Sequence, residues 1–420
     1  MKITLFEQAP YRYLPDDFEQ HHSAVNNTPY SFATREGVYS SIRDFIDELM
    51  LGARSGFDGV ALTEHSQTTF DMMPNPDLVA STLAYVTESE GLDVAIFPMG
   101  RSLGKSREPL KVAEEYALID VMSGGRLVAG VTVGLSFDAT INNGIVPIQL
   151  RSRFEENLEL LLRAWEDREP FAWNGKHNQY AEVNIWPRPL QEPRPPIYVT
   201  GVGNPRTMAM SLERGFGFNY FSFNGAKLTG KRIFDRFWSI ADEMGVPRNP
   251  YRLGFLQTIA VAETDERAER EYGKHMEYAF RKGNGAVPAE RRSSPGAVDI
   301  RGVEALMKDP GDLGFAFRMK TATVSELLEA GAVIAGSPAT VRDQLLQYCR
   351  DYGIGNLHAM LGFGSMPREL VMKNIQLFAE EVAPHLRDLW TDTGHQHHWW
   401  PERLGGAPAA AGTERKATVA

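Results

Sequence analysis

Eight short apolar runs, most of them followed by an amphipathic helix, organise this 420-residue chain. The runs are Ile3 to Phe6, Gly56 to Leu62, Leu92 to Phe97, Leu127 to Val133, Ile197 to Thr200, Gly217 to Phe221, Leu253 to Val261 and Asn356 to Leu361. Helical spacing fills the stretches between them. Ser40 to Arg54 keeps Ile42, Phe45, Ile46 and Leu49 on one face, and Arg153 to Trp165 does the same with Phe154, Leu158, Leu161 and Leu162. Further helices are read from Asn75, at Pro109 to Met122, Gly203 to Arg214 (with a turn), Lys227 to Met244, Glu266 to Arg281, Pro338 to Tyr352 and Pro367 to Leu386. Nearly all-apolar strands separated by helices are the pattern of a parallel sheet covered on both faces. Eight such units are the number that closes a (β/α)8 TIM barrel. An open doubly wound sheet is the second reading, but no G-x-G-x-x-G follows the first strand.

The segment PLKVAEEYALIDVMSGGRLVAGVTVG, Pro109 to Gly134, holds one complete helix-to-strand unit. Ser123-Gly124-Gly125 stops the helix, because glycine accepts the left-handed conformation of a helix end. Regularity breaks in a Gly-, Pro- and Ser-rich stretch that reads as an insertion over about 283–332, before the last strand, with Gly311 to Ala330 helical. The expected organisation is one barrel domain over 1–387, carrying that insertion, then a C-terminal extension over 388–420 that is disordered from about 405.

A formal net charge of -10 argues against a phosphate-neutralising nucleic-acid surface. No apolar run is long enough for a membrane span, and MKITLFEQAP reads as a first strand rather than a signal peptide. The single cysteine, Cys349, sits in the helical context QLLQYCRDYG as a small core residue. Together these features point to the cytoplasm.

In a barrel of this kind chemistry belongs at the C-terminal ends of the strands. The second strand ends in Thr63-Glu64-His65, which offers His65 as a general base or acid and Glu64 as a group to orient it or to bond backbone. The third is read as ending in Phe97-Pro98, where a cis bond would turn the chain sharply towards a ligand. The fifth ends in Thr200-Gly201-Val202-Gly203-Asn204-Pro205-Arg206-Thr207 and opens a helix. That is either a phosphate cradle or a plain loop capped by Asn204. Arg153 opens the helix after the fourth strand's loop, from which it reaches an anion at the mouth or pairs with Glu156. His395, His397 and His398 lack further ligands at metal-site spacing, so no metal is expected. The first loop gathers Tyr11, Tyr13, His21, His22, Tyr30 and Phe32, as a pocket wall or as packing over the barrel.

GFDGVALTEH, the SGGR unit, RFEENLELLLRAW, PPIYVTGVGNPRT and GSPATVRDQL occur in this order, and over about residues 1–387 the chain resembles the luciferase-like monooxygenase family. The resemblance implies a luciferase-like TIM barrel, usually dimeric, that binds reduced FMN (FMNH2), or in some branches F420, at the C-terminal mouth. It matches His65 to the family's catalytic histidine and Phe97–Pro98 to the cis peptide beneath the flavin ring. It places Thr200, Gly201, Gly203, Arg206 and Thr207 in the phosphate loop, with Arg153 as a phosphate-side arginine. Thr132 stands where luciferase has a flavin-side cysteine, and Val133 where it has an arginine, with Arg206 as the candidate replacement. The implied activity is an FMNH2-dependent, two-component monooxygenase. It would use O2, through a flavin C4a-peroxide, on a small apolar organic substrate, with flavin from a separate NAD(P)H:flavin reductase and a homodimer or related heterodimer as the assembly. The rivals are an F420-dependent hydride-transfer oxidoreductase and a non-catalytic flavin-binding barrel.

Overall fold

A computed structural model of the chain describes residues 1–221, 227, 230–283, 286–287, 291, 304 and 319–408. Its strands, in chain order, are β1 (Lys2–Phe6), β2 (Gly59–Thr63), β3 (Ala95–Ser102), β4 (Ala129–Thr132), the hairpin pair β5 (Phe171–Asn174) and β6 (Gln179–Val183), β7 (Ile197–Gly201), β8 (Gly217–Tyr220), β9 (Leu253–Val261), β10 (Val333–Gly336) and β11 (Asn356–Met360). Eight of them, β1-β2-β3-β4-β7-β8-β9-β11, pair in parallel in that order. β11 returns to β1, with Lys2 opposite Asn356 and Phe6 opposite Met360, and the sheet closes into the expected eight-stranded barrel.

β10 is an additional parallel strand that periodicity did not reveal, because Val333–Gly336 is too short to show any. It pairs with the C-terminal half of β9, from Val333 opposite Thr258 to Gly336 opposite Val261, beyond Phe255 where β8 stops. The first long helix begins at Arg35 rather than Ser40, because the Thr34 hydroxyl caps it by accepting from Gly37 N at 3.0 Å. The closing helix divides into Arg368–Glu381 and Ala383–Arg387 at Pro384, whose ring removes a helical donor. Gly124 and Gly125 have φ of 62° and 82°, the left-handed backbone read from the sequence.

The third strand corrects the sequence reading. It does not end at Phe97-Pro98 but runs on to Ser102, and the bond between them is trans; the cis bonds among the described residues are Trp186–Pro187 and Glu192–Pro193. Pro98 lacks an N–H to give the ladder, and the strand answers with a register shift, not a stop: Leu62 faces Pro98 while Thr63 faces Gly100. Phe97 and Pro98 are therefore buried below the mouth, with the Phe97 ring 5.6 Å from Tyr198 and 5.7 Å from His358.

The opposite end of the barrel is covered by the chain after Arg387. His397 Nε2 lies 2.9 Å from Asn356 Oδ1, its ring stacks on Tyr251, and Trp399 Nε1 donates to Gly215 O. Trp400 is almost fully buried, and Lys2 sits over its ring. The expected disorder from about 405 is corrected for 405–408: Gly406 N donates to Pro401 O and Ala407 N to His397 O, which continues the strap. Residues 409–420 lie outside the described residues, as does most of the 283–332 insertion. Of the helix read at Gly311 to Ala330, the described part is Val324–Glu329, started by a Thr323/Glu326 capping box.

Candidate active site

At the mouth, β2 delivers Glu64 and His65 side by side. Successive strand residues point to opposite sides, and the two side chains accordingly meet different partners. Glu64 accepts from Ser102 N at 2.8 Å, and its other oxygen lies 2.9 Å from Arg101 and 3.2 Å from Lys105 Nζ. Both oxygens are committed to bracing the β3 loop, so Glu64 does not orient His65 directly.

That position is filled by Asp138, which sequence reasoning missed. Its Oδ2 lies 3.4 Å from His65 Nδ1, and its Oδ1 accepts from Ser66 N at 3.0 Å and Lys105 Nζ at 3.2 Å. Asp138 belongs to a π-helical turn, Phe137–Asn142, directly after β4. Such turns are rare and concentrate at functional sites. The same turn presents Phe137, whose ring stacks on His65 at 6.2 Å, while Phe70 flanks the imidazole at 4.8 Å. Burial pushes the Asp138 carboxyl up, but His65, Lys105 and the Ser66 amide outweigh it and hold the group below its ordinary range. Lys105 is buried and bridges Glu64 to Asp138, so one cation joins the two carboxylates. Beneath them Asp71 accepts from Ala9 N and the Thr63 hydroxyl; burial lifts it to about 6, partly offset by His65 and those bonds. The signal for Asp138 was only that it lies in a strand-end loop, which every barrel has eight times over.

A cationic sector lies beside this pair, between the loops after β3, β4 and β7. Arg153 reaches Ser106 O at 3.5 Å and has no carboxylate partner among the described residues; burial and the nearby Arg107 lower its pKa. Arg151, also missed from the sequence, donates to the Thr207 hydroxyl at 3.0 Å. Two residues apart on one helix, these arginines project roughly 200° from each other and so serve different loops. The candidate replacement, Arg206, is half-exposed and pairs with Glu155 at 2.7 Å.

In the β7 loop, Asn204 caps the helix Pro205–Glu213 by accepting from Arg206 N and Thr207 N, which uses two amides that a phosphate would want. Gly203 has a φ of 101°, a backbone that L side chains rarely adopt. Thr200 spends its hydroxyl on Met99 O at 2.8 Å, and Gly201 follows it at the strand end. Thr132 pairs with Ser102 on one side and Thr200 on the other, at the centre of the sector. The Ser102 hydroxyl is buried there without a hydrogen-bond partner among the described residues, as is Arg153 Nε. Polar atoms of this kind in a native site await a ligand or ordered water. The structure thus brings Glu64, His65, Thr132, Arg153, Thr200, Gly201, Gly203 and Thr207 to one end of the barrel, with Arg206 beside Thr207 but paired with Glu155, and leaves Phe97 and Pro98 below it. No group of three or more metal-ligating side chains occurs among the described residues. Nor is any described helix long and apolar enough to cross a membrane.

Comparison with known proteins agrees with this architecture. The oxygenase component of a flavin-dependent trigonelline monooxygenase from Acinetobacter baylyi is 24% identical over 228 residues, 54% of this chain and 61% of that protein. The oxygenating constituent of 3,6-diketocamphane monooxygenase from Pseudomonas putida, a type II Baeyer–Villiger monooxygenase solved with FMN, superposes with a TM-score of 0.68 at 21% identity, over 91% of this chain and 98% of that one. An F420-dependent secondary alcohol dehydrogenase bound to an F420–acetone adduct gives a TM-score of 0.61 at 16% identity, over 92% and 99%. The model of the luciferase-like monooxygenases matches residues 23–354. With most of its length inside that match, and with the closed barrel that the match demands, the chain belongs to the luciferase-like monooxygenase family.

Proposed function

We propose that this protein is the oxygenase component of a two-component monooxygenase. It takes FMNH2 from a separate NAD(P)H:flavin reductase and uses O2 to insert one oxygen atom into a small organic substrate in the cytoplasm. The observation that carries the reading is the presence, on one barrel mouth, of a cationic sector beside a caged histidine–carboxylate pair. The groups present fit a flavin. Arg151, Thr207 and Gly203 would hold its phosphate, with Arg153 adding positive charge beside the loop after β3, and the Ser102 hydroxyl, unpartnered among the described residues, and Thr132 border the place for its ring. Bound reduced flavin supplies the electrons and activates O2.

The protein's own part is positional and protic. Asp138 engages His65 Nδ1, which fixes the ring and leaves Nε2 to hold or move a proton at the reacting centre. Phe70 and Phe137 pack against the imidazole ring and limit its positions. Lys105 holds Asp138 ionised so that it remains an acceptor. The helix Pro76–Ser89 presents Leu78 and Tyr85 to solvent, which suits a homodimer or related heterodimer.

Rapid mixing of the FMNH2-loaded protein with O2 tests the reading. Flavin oxidation slower than that of free FMNH2, coupled to O2 uptake, is the expected result. The fold shared with an F420 enzyme favours one second reading, hydride transfer from reduced F420. Tight F420 binding with no O2 uptake would select it, and flavin binding with neither chemistry would leave a flavin-binding barrel.

A further inference from the structure

A cleft opens at the mouth beyond Phe70, between the first loop, β9, β11 and the helix Asp265–Arg281. Phe70 forms one wall, with its ring against His65, so the cleft and the caged histidine share a side chain. The walls are mostly apolar, with Tyr11, Phe280, Met360 and Phe363 among them. One charged residue lines the cleft among the described residues, and it is a lysine, Lys282.

Lys282 is buried, and its ammonium donates to Pro15 O at 2.8 Å and Asp16 O at 3.3 Å. An ammonium has three donors, so one remains. Its carboxylate neighbour among the described residues, Asp16, stands 4.0 Å away on a fully exposed side chain, a weak counter-ion in solvent. The Tyr278 ring lies 5.3 Å from Nζ, which eases but does not neutralise the charge. Gln8, also on the cleft, is 5% exposed, and its Nε2 has no hydrogen-bond partner among the described residues. Among the described residues this leaves a buried cation with only a weak counter-ion and a buried amide without a partner on one apolar cleft, each costly unless a ligand completes it.

We propose that this cleft binds an organic acid. Its carboxylate meets Lys282 and the Gln8 amide, and its hydrocarbon part lies against Phe70 and Met360. A single lysine with a neutral amide suits a monoanion rather than a phosphate. The inference rests on the functional reading above only in making that acid the substrate that is oxidised; the binding preference stands apart from it.

The test is calorimetric titration of the FMN-loaded protein with propionate and with propionamide, its neutral isostere, small enough for a cavity of about 40 Å³. The acid is expected to bind about tenfold tighter or more, the worth of one charge-assisted bond in a screened site. Lys282→Met should abolish the difference, Lys282→Arg should restore most of it, and Gln8→Glu should weaken the acid selectively. Circular dichroism and FMN affinity report whether each variant is folded. Equal affinity for the two probes, or an unchanged preference in folded Lys282→Met, overturns the proposal. Failure to bind FMN with the acid preference intact overturns the flavin reading and supports this one.

Discussion

His65 Nδ1 and Asp138 Oδ2 face each other at 3.4 Å across the junction between β2 and the π turn after β4. The pair joins two strand ends that are not neighbours in the barrel. If His65 handles a proton, His65→Ala should lower oxygenation by about 100-fold or more while FMN affinity stays within a few-fold. Asp138→Asn should cost less, about tenfold, because an amide still holds the ring but no longer presents a charge to it. Unchanged turnover in His65→Ala would remove it from the mechanism.

The two arginines of one helix separate from the third by an experiment with two ligands. Arg151→Met should weaken FMN by about tenfold and Arg153→Met by less, and both should leave riboflavin, which lacks the phosphate, nearly unaffected. Arg206→Met should change neither, since that side chain is turned to Glu155. A loss confined to Arg206→Met would restore the assignment made from sequence.

Three buried histidines should make the fold acid-labile. Burial holds His358 down at about 3 and His275 at about 4, and pushes His397 well below its ordinary value. In the unfolded chain each titrates near ~6.5. Below that pH the unfolded state binds protons that the native state refuses, so stability present above about 6.5 is lost as pH falls. The cost is about 1.4 kcal/mol per pH unit for each histidine. Asp71, raised to about 6, Asp77, raised to about 8, and Glu7, raised well above its ordinary value, are lifted by burial and work the other way, because the native state takes up their protons first as pH falls. The histidine share is isolated by comparison: from pH 7.5 to pH 5.5 the urea midpoint of His397→Gln, which keeps a donor for Asn356, should lose less, or gain more, than that of the parent protein. Equal slopes in the two proteins would contradict the assignment.

Cys349 is fully buried, and burial pushes its thiol up to about 12. The native protein should therefore leave a disulfide reagent such as DTNB unreacted, and reaction should appear only with unfolding. Rapid labelling under native conditions would show that the helix Pro338–Tyr352 opens locally.

The barrel was legible because eight strands and their helices repeat one hydrophobic rhythm, and β9 and the helix Pro338–Tyr352 match the sequence boundaries to the residue. What escaped depended on contacts distant in sequence. Arg151 and Arg153 look alike in a string of residues, and only the helix's rotation decides which loop each meets. Asp138 has no motif, because its meaning comes from a histidine on another strand. Pro98 was read as a stop, since the string shows a missing donor but not the bulge that accommodates it.

β1 takes β11 as one of its two neighbours, and the strap that follows fastens beneath both. During synthesis, β1 keeps one edge open until β11, far downstream in the sequence, has been translated. Exposed strand edges invite pairing with other chains. Yield in a heterologous host should therefore respond to chaperone supply and translation speed more than to the final stability of the barrel, and any truncation before Trp400 should show first as insolubility.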